Sequence, residues 1–163
     1  MHLADLLAAT ALSGLLFAIT LTVFAQGQLA YSRGVARVES QQSARLALAR
    51  MAREIRQSGS RDGKLPPISL AEPARIVIER DGHAITWQLS AGVLRRNAGA
   101  GAQPIINGVR ALAFGYRDAG GRSTTTPDAV RAVVITLTTE PEHPGAGAAT
   151  LTRLTTEVRL RNR

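Results

Sequence analysis

The chain reads as an α+β protein, with a long N-terminal hydrophobic helix packed on an antiparallel β-sheet. Three observations predict this. Leu3 to Ala25 runs LADLLAATALSGLLFAITLTVFA, about 23 residues and enough to cross a hydrocarbon core of roughly 30 Å as a helix. No proline occurs before Pro66, and the stretch to Ser58 is rich in Ala, Leu, Arg and Gln, all strong helix formers. Past Pro73 the apolar period falls to two, the period of half-buried strands.

The helical stretch divides into two parts. The first 32 residues hold one side chain that is ionised at neutral pH, Asp5; the first basic residue is Arg33. Leu3, Leu6, Leu7, Leu12, Leu15, Leu16, Phe17, Ile19, Leu21, Val23 and Phe24 supply the apolar surface of this part. A carboxylate in such a segment costs a few kcal/mol to hold in lipid unless it is paired. Its partner is therefore either the Met1 amine of its own chain or another molecule. A cleaved secretory signal would ask for a basic n-region and a shorter core; Val23-Phe24-Ala25 is a passable cleavage tripeptide, but Met1-His2 carries no Lys or Arg. A buried core helix would be shorter. A membrane-spanning helix fits the length.

Beyond Ala25 the pattern becomes amphipathic, with Ala44, Leu48, Met51 and Ile55 on one stripe and Arg50, Arg53 and Gln57 facing away. Leu48, Met51 and Ile55 are the residues expected to pack on the sheet. Ser58-Gly59 supplies the stop. A helix of about 55 residues is roughly 80 Å long, more than the domain that follows can cover, so lipid or neighbouring copies must cover its first half.

The strands follow in order. Arg75–Arg80 and Ala84–Leu89 flank Asp81-Gly82-His83, a hairpin signal. Gly92–Arg96 is a short third strand, and Asn97–Pro104 a small-residue loop. Val109–Tyr116 alternates, Asp118-Ala119-Gly120-Gly121 turns, Val130–Thr138 is the most β-branched run, and Leu151–Leu160 closes the chain after a Pro-Glu-His-Pro-Gly loop. The expected organisation is a helix over 1–58 with its membrane segment at 3–25, a linker over 59–74, and one antiparallel meander over 75–163. No internal repeat is visible.

Composition narrows the function classes. The 163 residues have room for one domain plus the apolar segment. The net charge is +8 and Lys64 is the single lysine, a balance that suits nucleic acid, anionic lipid or an acidic protein surface. The arginines are dispersed without interleaved aromatics, so a dedicated nucleic-acid site is not expected. The absence of cysteine excludes disulfides, thiolate metal sites and a Cys nucleophile. His2, His83 and His143 stand apart without ligand spacing, and no nucleophile elbow, phosphate loop or dinucleotide fingerprint occurs. Asp118 and Asp128 bracket a polar loop whose spacing fits no calcium loop. Trp87 and Tyr116 read as core or sheet-face aromatics. No catalytic residue, metal, cofactor or small-molecule substrate is expected.

The opening Met1-His2-Leu3-Ala4-Asp5-Leu6-Leu7-Ala8-Ala9 resembles the mature start of type IV pilin-like proteins. Gln41–Leu48 and Met51–Gly59 are similar to the helix end of W-type minor pilins and J-type minor pseudopilins, and Val109–Asp118 and Val158–Asn162 resemble their late strands. The resemblance implies a non-enzymatic subunit that joins an initiating or tip complex of a type IV pilus or type II secretion filament. Its partners would be other minor pilins or pseudopilins and inner-membrane lipid. It also implies a basic leader ending in Gly ahead of Met1, a single inner-membrane span and a periplasmic C-terminal domain. Asp5 would pair with the Met1 amine of an adjacent subunit. Aspartate here replaces the family's glutamate, and Met1 its usual phenylalanine.

Other readings stand beside it. Within assembly proteins the runner-up is a major filament subunit. A competence pilin would contact DNA through dispersed arginines. A single-span protein unrelated to filaments, with its domain in the cytoplasm, is what Arg33, Arg37 and Arg45 on the carboxyl side of the span suggest by the positive-inside rule.

Overall fold

One helix accounts for a third of the chain. The computed structural model describes residues 3–59, 66–141 and 151–161. Helix α1 runs Leu3–Arg56 without interruption. Its last turn carries Arg53 and Arg56, cations that offset the partial negative charge of the terminal carbonyls. The Ser58 hydroxyl then donates to the Ile55 carbonyl at 2.7 Å, and Gly59 leaves the helix with a φ of 106°, a conformation that glycine adopts without strain.

The expected α+β architecture is present, with the helix packed on antiparallel sheet, but there are two sheets. Strands β1 (Ile68–Ala71), β2 (Arg75–Arg80), β3 (His83–Ser90), β4 (Val93–Asn97) and β5 (Ala102–Ile106) form a five-stranded meander in chain order. Strands β6 (Val109–Arg117), β7 (Ala132–Thr139) and β8 (Thr152–Arg159) form a second, three-stranded one. A single meander fails at Asn107-Gly108. Gly108 takes a φ of 67°, and β6 starts beside the β3–β4 turn rather than beside β5. The Val109 amide donates to the Gly92 carbonyl at 2.9 Å, and the Phe114 amide to Pro73 at 2.7 Å. Single hydrogen bonds, not a ladder, join the sheets here.

Two further differences lie at the sheet edges. The stretch expected as a linker contains β1, which pairs Ile68 with Ile78 and Ala71 with Ile76. It escapes sequence reading because Pro66-Pro67 and Pro73 flank only five residues. The expected loop over Asn97–Pro104 ends at Ala102, where β5 begins and pairs with β4. Pro104 lies on that last strand, where a missing donor is tolerated.

The Asp81-Gly82 hairpin forms as expected, joining β2 to β3 with Arg80 opposite His83. Both turn residues have positive φ, 49° and 82°, the signature of the turn whose twist matches the flanking strands. In β6 a bulge between Val109 and Ala111 shifts the alternation, so Val109 is buried together with Leu112, Phe114 and Tyr116.

The core lies between the carboxyl half of α1 and the two sheets. Ala44, Leu48, Met51 and Ile55 are buried as the stripe predicts, and Ala47 joins them. They meet Ile76, Ile78, Trp87, Leu94, Ile135 and Leu137. Helix α1 lies against β7 and β8 and reaches β5.

Candidate assembly surface

The amino half of α1 has no cover. No described residue before Ala44 is buried. The apolar side chains singled out from the sequence, from Leu3 to Phe24, are all more than half exposed, from Leu3 at 80% to Ile19 at 52%. They surround the helix rather than forming one stripe. A helix that is apolar on every side is stable only where no water reaches it, and an exposed surface of this extent marks an interaction or membrane site. By length and composition the helix can cross a membrane.

Its few polar side chains are satisfied within the helix. The Thr10 hydroxyl donates to the Leu7 carbonyl at 2.9 Å, Ser13 to Ala9 at 2.8 Å, Thr20 to Leu16 at 2.8 Å and Thr22 to Ala18 at 2.8 Å. Such internal bonds remove the cost of placing a hydroxyl in a medium that cannot hydrogen-bond.

Asp5 is the exception. It lies in the first turn of α1, where the helix dipole favours a negative charge. It makes no hydrogen bond or ion pair with another described residue. Met1, its expected counterpart, lies outside the described residues. The structure thus presents one carboxylate on an uncovered apolar cylinder.

Beyond this segment the helix docks progressively. Ser40 donates to the Thr139 hydroxyl at 3.3 Å and the Glu140 carbonyl at 3.4 Å. Leu48 is then buried against the sheets, and Met51 and Ile55 fully so.

Sequence reasoning missed the polar centre of that docking. Glu54 is 7% exposed. Its carboxylate accepts the Trp87 indole N–H at 2.9 Å and the Arg96 Nε–H at 2.9 and 3.0 Å. Arg50, one turn earlier, stands 3.6 Å away. One side chain of α1 thereby ties together β3 and β4. The signal was available: Glu54 is three residues from Met51, on the apolar stripe.

Other singled-out residues have structural work. The Asp118 Oδ1 accepts the amides of Gly120 at 2.8 Å and Arg122 at 2.9 Å, closing its turn. Asp128 lies in a short 3-10 turn, Pro127–Ala129. Trp87 is fully buried. The Tyr116 hydroxyl donates to the Glu72 carbonyl at 2.7 Å, and burial, with Glu72 nearby, pushes its pKa well above the ordinary range. His83 is exposed at the start of β3, while His2 and His143 lie outside the described residues.

Comparison with models of known protein families and with curated protein sequences returned no match.

Proposed function

We propose that this chain is a non-enzymatic subunit of a filament assembled from the inner membrane, of the minor pilin or minor pseudopilin kind. The observation that carries this reading is the mismatch between helix and domain. A 54-residue helix is anchored to its sheets only from about Ser40 onward, and its first part, to Ala25, is apolar all round with a carboxylate near its start. In the bilayer the apolar cylinder is covered by lipid; in a filament it is covered by the helices of sibling subunits.

Asp5 is the contact that distinguishes the two settings. A carboxylate held in an apolar bundle is stabilised by an opposite charge and strongly destabilising without one. The Met1 amine of an adjacent subunit supplies that charge. The domain stands on the periplasmic side, and the chain joins an initiating or tip complex with other minor subunits.

The test is co-assembly. Asp5→Ala is expected to leave membrane insertion intact while abolishing co-purification and cross-linking with sibling subunits; unchanged assembly would reject the reading. A reporter fused to the C-terminus fixes the side of the membrane on which the domain lies.

A further inference from the structure

The end of α1 remote from the membrane segment carries a different chemistry. Arg53 and Arg56 from the last turn of α1, Arg80 from the β2–β3 hairpin and Arg161 after β8 line one cleft of about 470 Å³. Among the described residues Asp81 is the single acidic side chain on its wall. All four arginines are exposed. None makes an ion pair or side-chain hydrogen bond with another described residue.

The fold accounts for part of this. Arg53 and Arg56 complement the carboxyl end of the helix dipole. Arg80 and Arg161 have no such role; separate strands bring them to the same cleft, and among the described residues one carboxylate faces four guanidinium groups. Like charges brought together from three chain segments repel one another, and an anion seated between them relieves that repulsion.

We propose that this cleft binds a carboxylate-rich segment of a partner protein. Guanidinium groups pair with carboxylates through two parallel hydrogen bonds, and arginines on separate elements match carboxylates spaced along a peptide. A lipid headgroup is out of reach: some 30 helical residues, about 45 Å, separate Ala25 from Arg56. A single-stranded nucleic acid would ask for aromatic side chains on which bases stack, and none of the described residues lining the cleft is aromatic. A duplex would ask for a basic track rather than a confined cleft interrupted by Asp81. The proposal draws on the assembly reading only in taking the amino half of α1 as the membrane segment.

The experiment uses the full chain in lipid nanodiscs and a fluorescein-labelled hexaglutamate peptide, followed by fluorescence anisotropy. Binding is expected to saturate, to weaken with salt, and to fall at least tenfold in the double variant Arg80→Gln/Arg161→Gln. Arg122→Gln, outside the cleft, is expected to bind as the wild type does, and circular dichroism melting confirms that each variant is folded. Absent binding, or equal binding by the folded double variant, overturns the proposal. So does a short DNA duplex that binds more tightly than the peptide and depends on the same arginines, or inorganic phosphate that displaces the peptide at equimolar concentration. The Asp5→Ala chain is expected to retain peptide binding, which separates a failure here from a failure of the assembly reading.

Discussion

The Glu54 carboxylate accepts the Trp87 indole N–H at 2.9 Å, and this bond, with the Arg96 pair at 2.9 Å, fixes the helix to the five-stranded sheet. Glu54→Ala leaves a partly buried guanidinium and a buried indole N–H without their acceptor. Its expected cost is about 3–5 kcal/mol. Glu54→Gln keeps an acceptor for one partner and is expected to cost about 1–3 kcal/mol. Chemical denaturation followed by Trp87 fluorescence (the chain's single tryptophan) measures both. A Glu54→Ala variant as stable as wild type would show that the bond does no holding.

The apolar stripe beside Glu54 is expected to obey cavity energetics. Met51 and Ile55 are fully buried, so Ile55→Ala should cost about 2–5 kcal/mol. Leu46→Ala, earlier in the helix and on its exposed side, should stay within about 0.5 kcal/mol. The contrast in denaturant midpoints checks which face of α1 meets the sheets.

Membrane anchoring rests on the middle of the apolar segment. Phe17→Arg places a cation near its centre, at an insertion cost of about 2.5–3.5 kcal/mol. The variant is expected to leave the membrane fraction on alkaline extraction while wild type stays. Retention of Phe17→Arg equal to wild type would argue that this segment does not span.

Alkaline pH is expected to destabilise the domain through Tyr116. Burial, and then Glu72, raise its folded pKa above the unfolded value. A group raised in this way contributes stability that is fully present below its unfolded pKa and lost as pH rises through the folded one. The loss therefore begins above about pH 10. Tyr116→Phe should cost about 1 kcal/mol at neutral pH through the lost bond to the Glu72 carbonyl, and should flatten the alkaline limb of stability against pH. An unchanged limb would reject the assignment.

The β2–β3 turn depends on backbone freedom. Gly82, at a φ of 82° with open space around it, has no steric reason to be glycine except its conformation. Gly82→Val is expected to cost about 1–2 kcal/mol, read as a lowered melting temperature with the fold retained.

Parts of this molecule were legible in residue order alone. The helix followed from propensity and the absence of proline, and its two halves from the change between all-round and one-sided apolarity. The Asp81-Gly82 hairpin followed from a dipeptide that prefers positive φ. The edge strands were not legible. Ile68–Ala71 follows a proline pair and Ala102–Ile106 contains one proline; both are short and become strands only because β2 and β4 offer them a partner.

The sequence by itself determined the long helix, its apolar first half, the stripe that docks the second half and most of the strands, because these depend on local propensity and periodicity. Only the tertiary structure decided that the strands split into two sheets, that Glu54 is a buried acceptor, and that four dispersed arginines share a cleft. Each of those depends on which residues distant in the chain are brought together, and register, buried hydrogen bonds and charge convergence have no local signature.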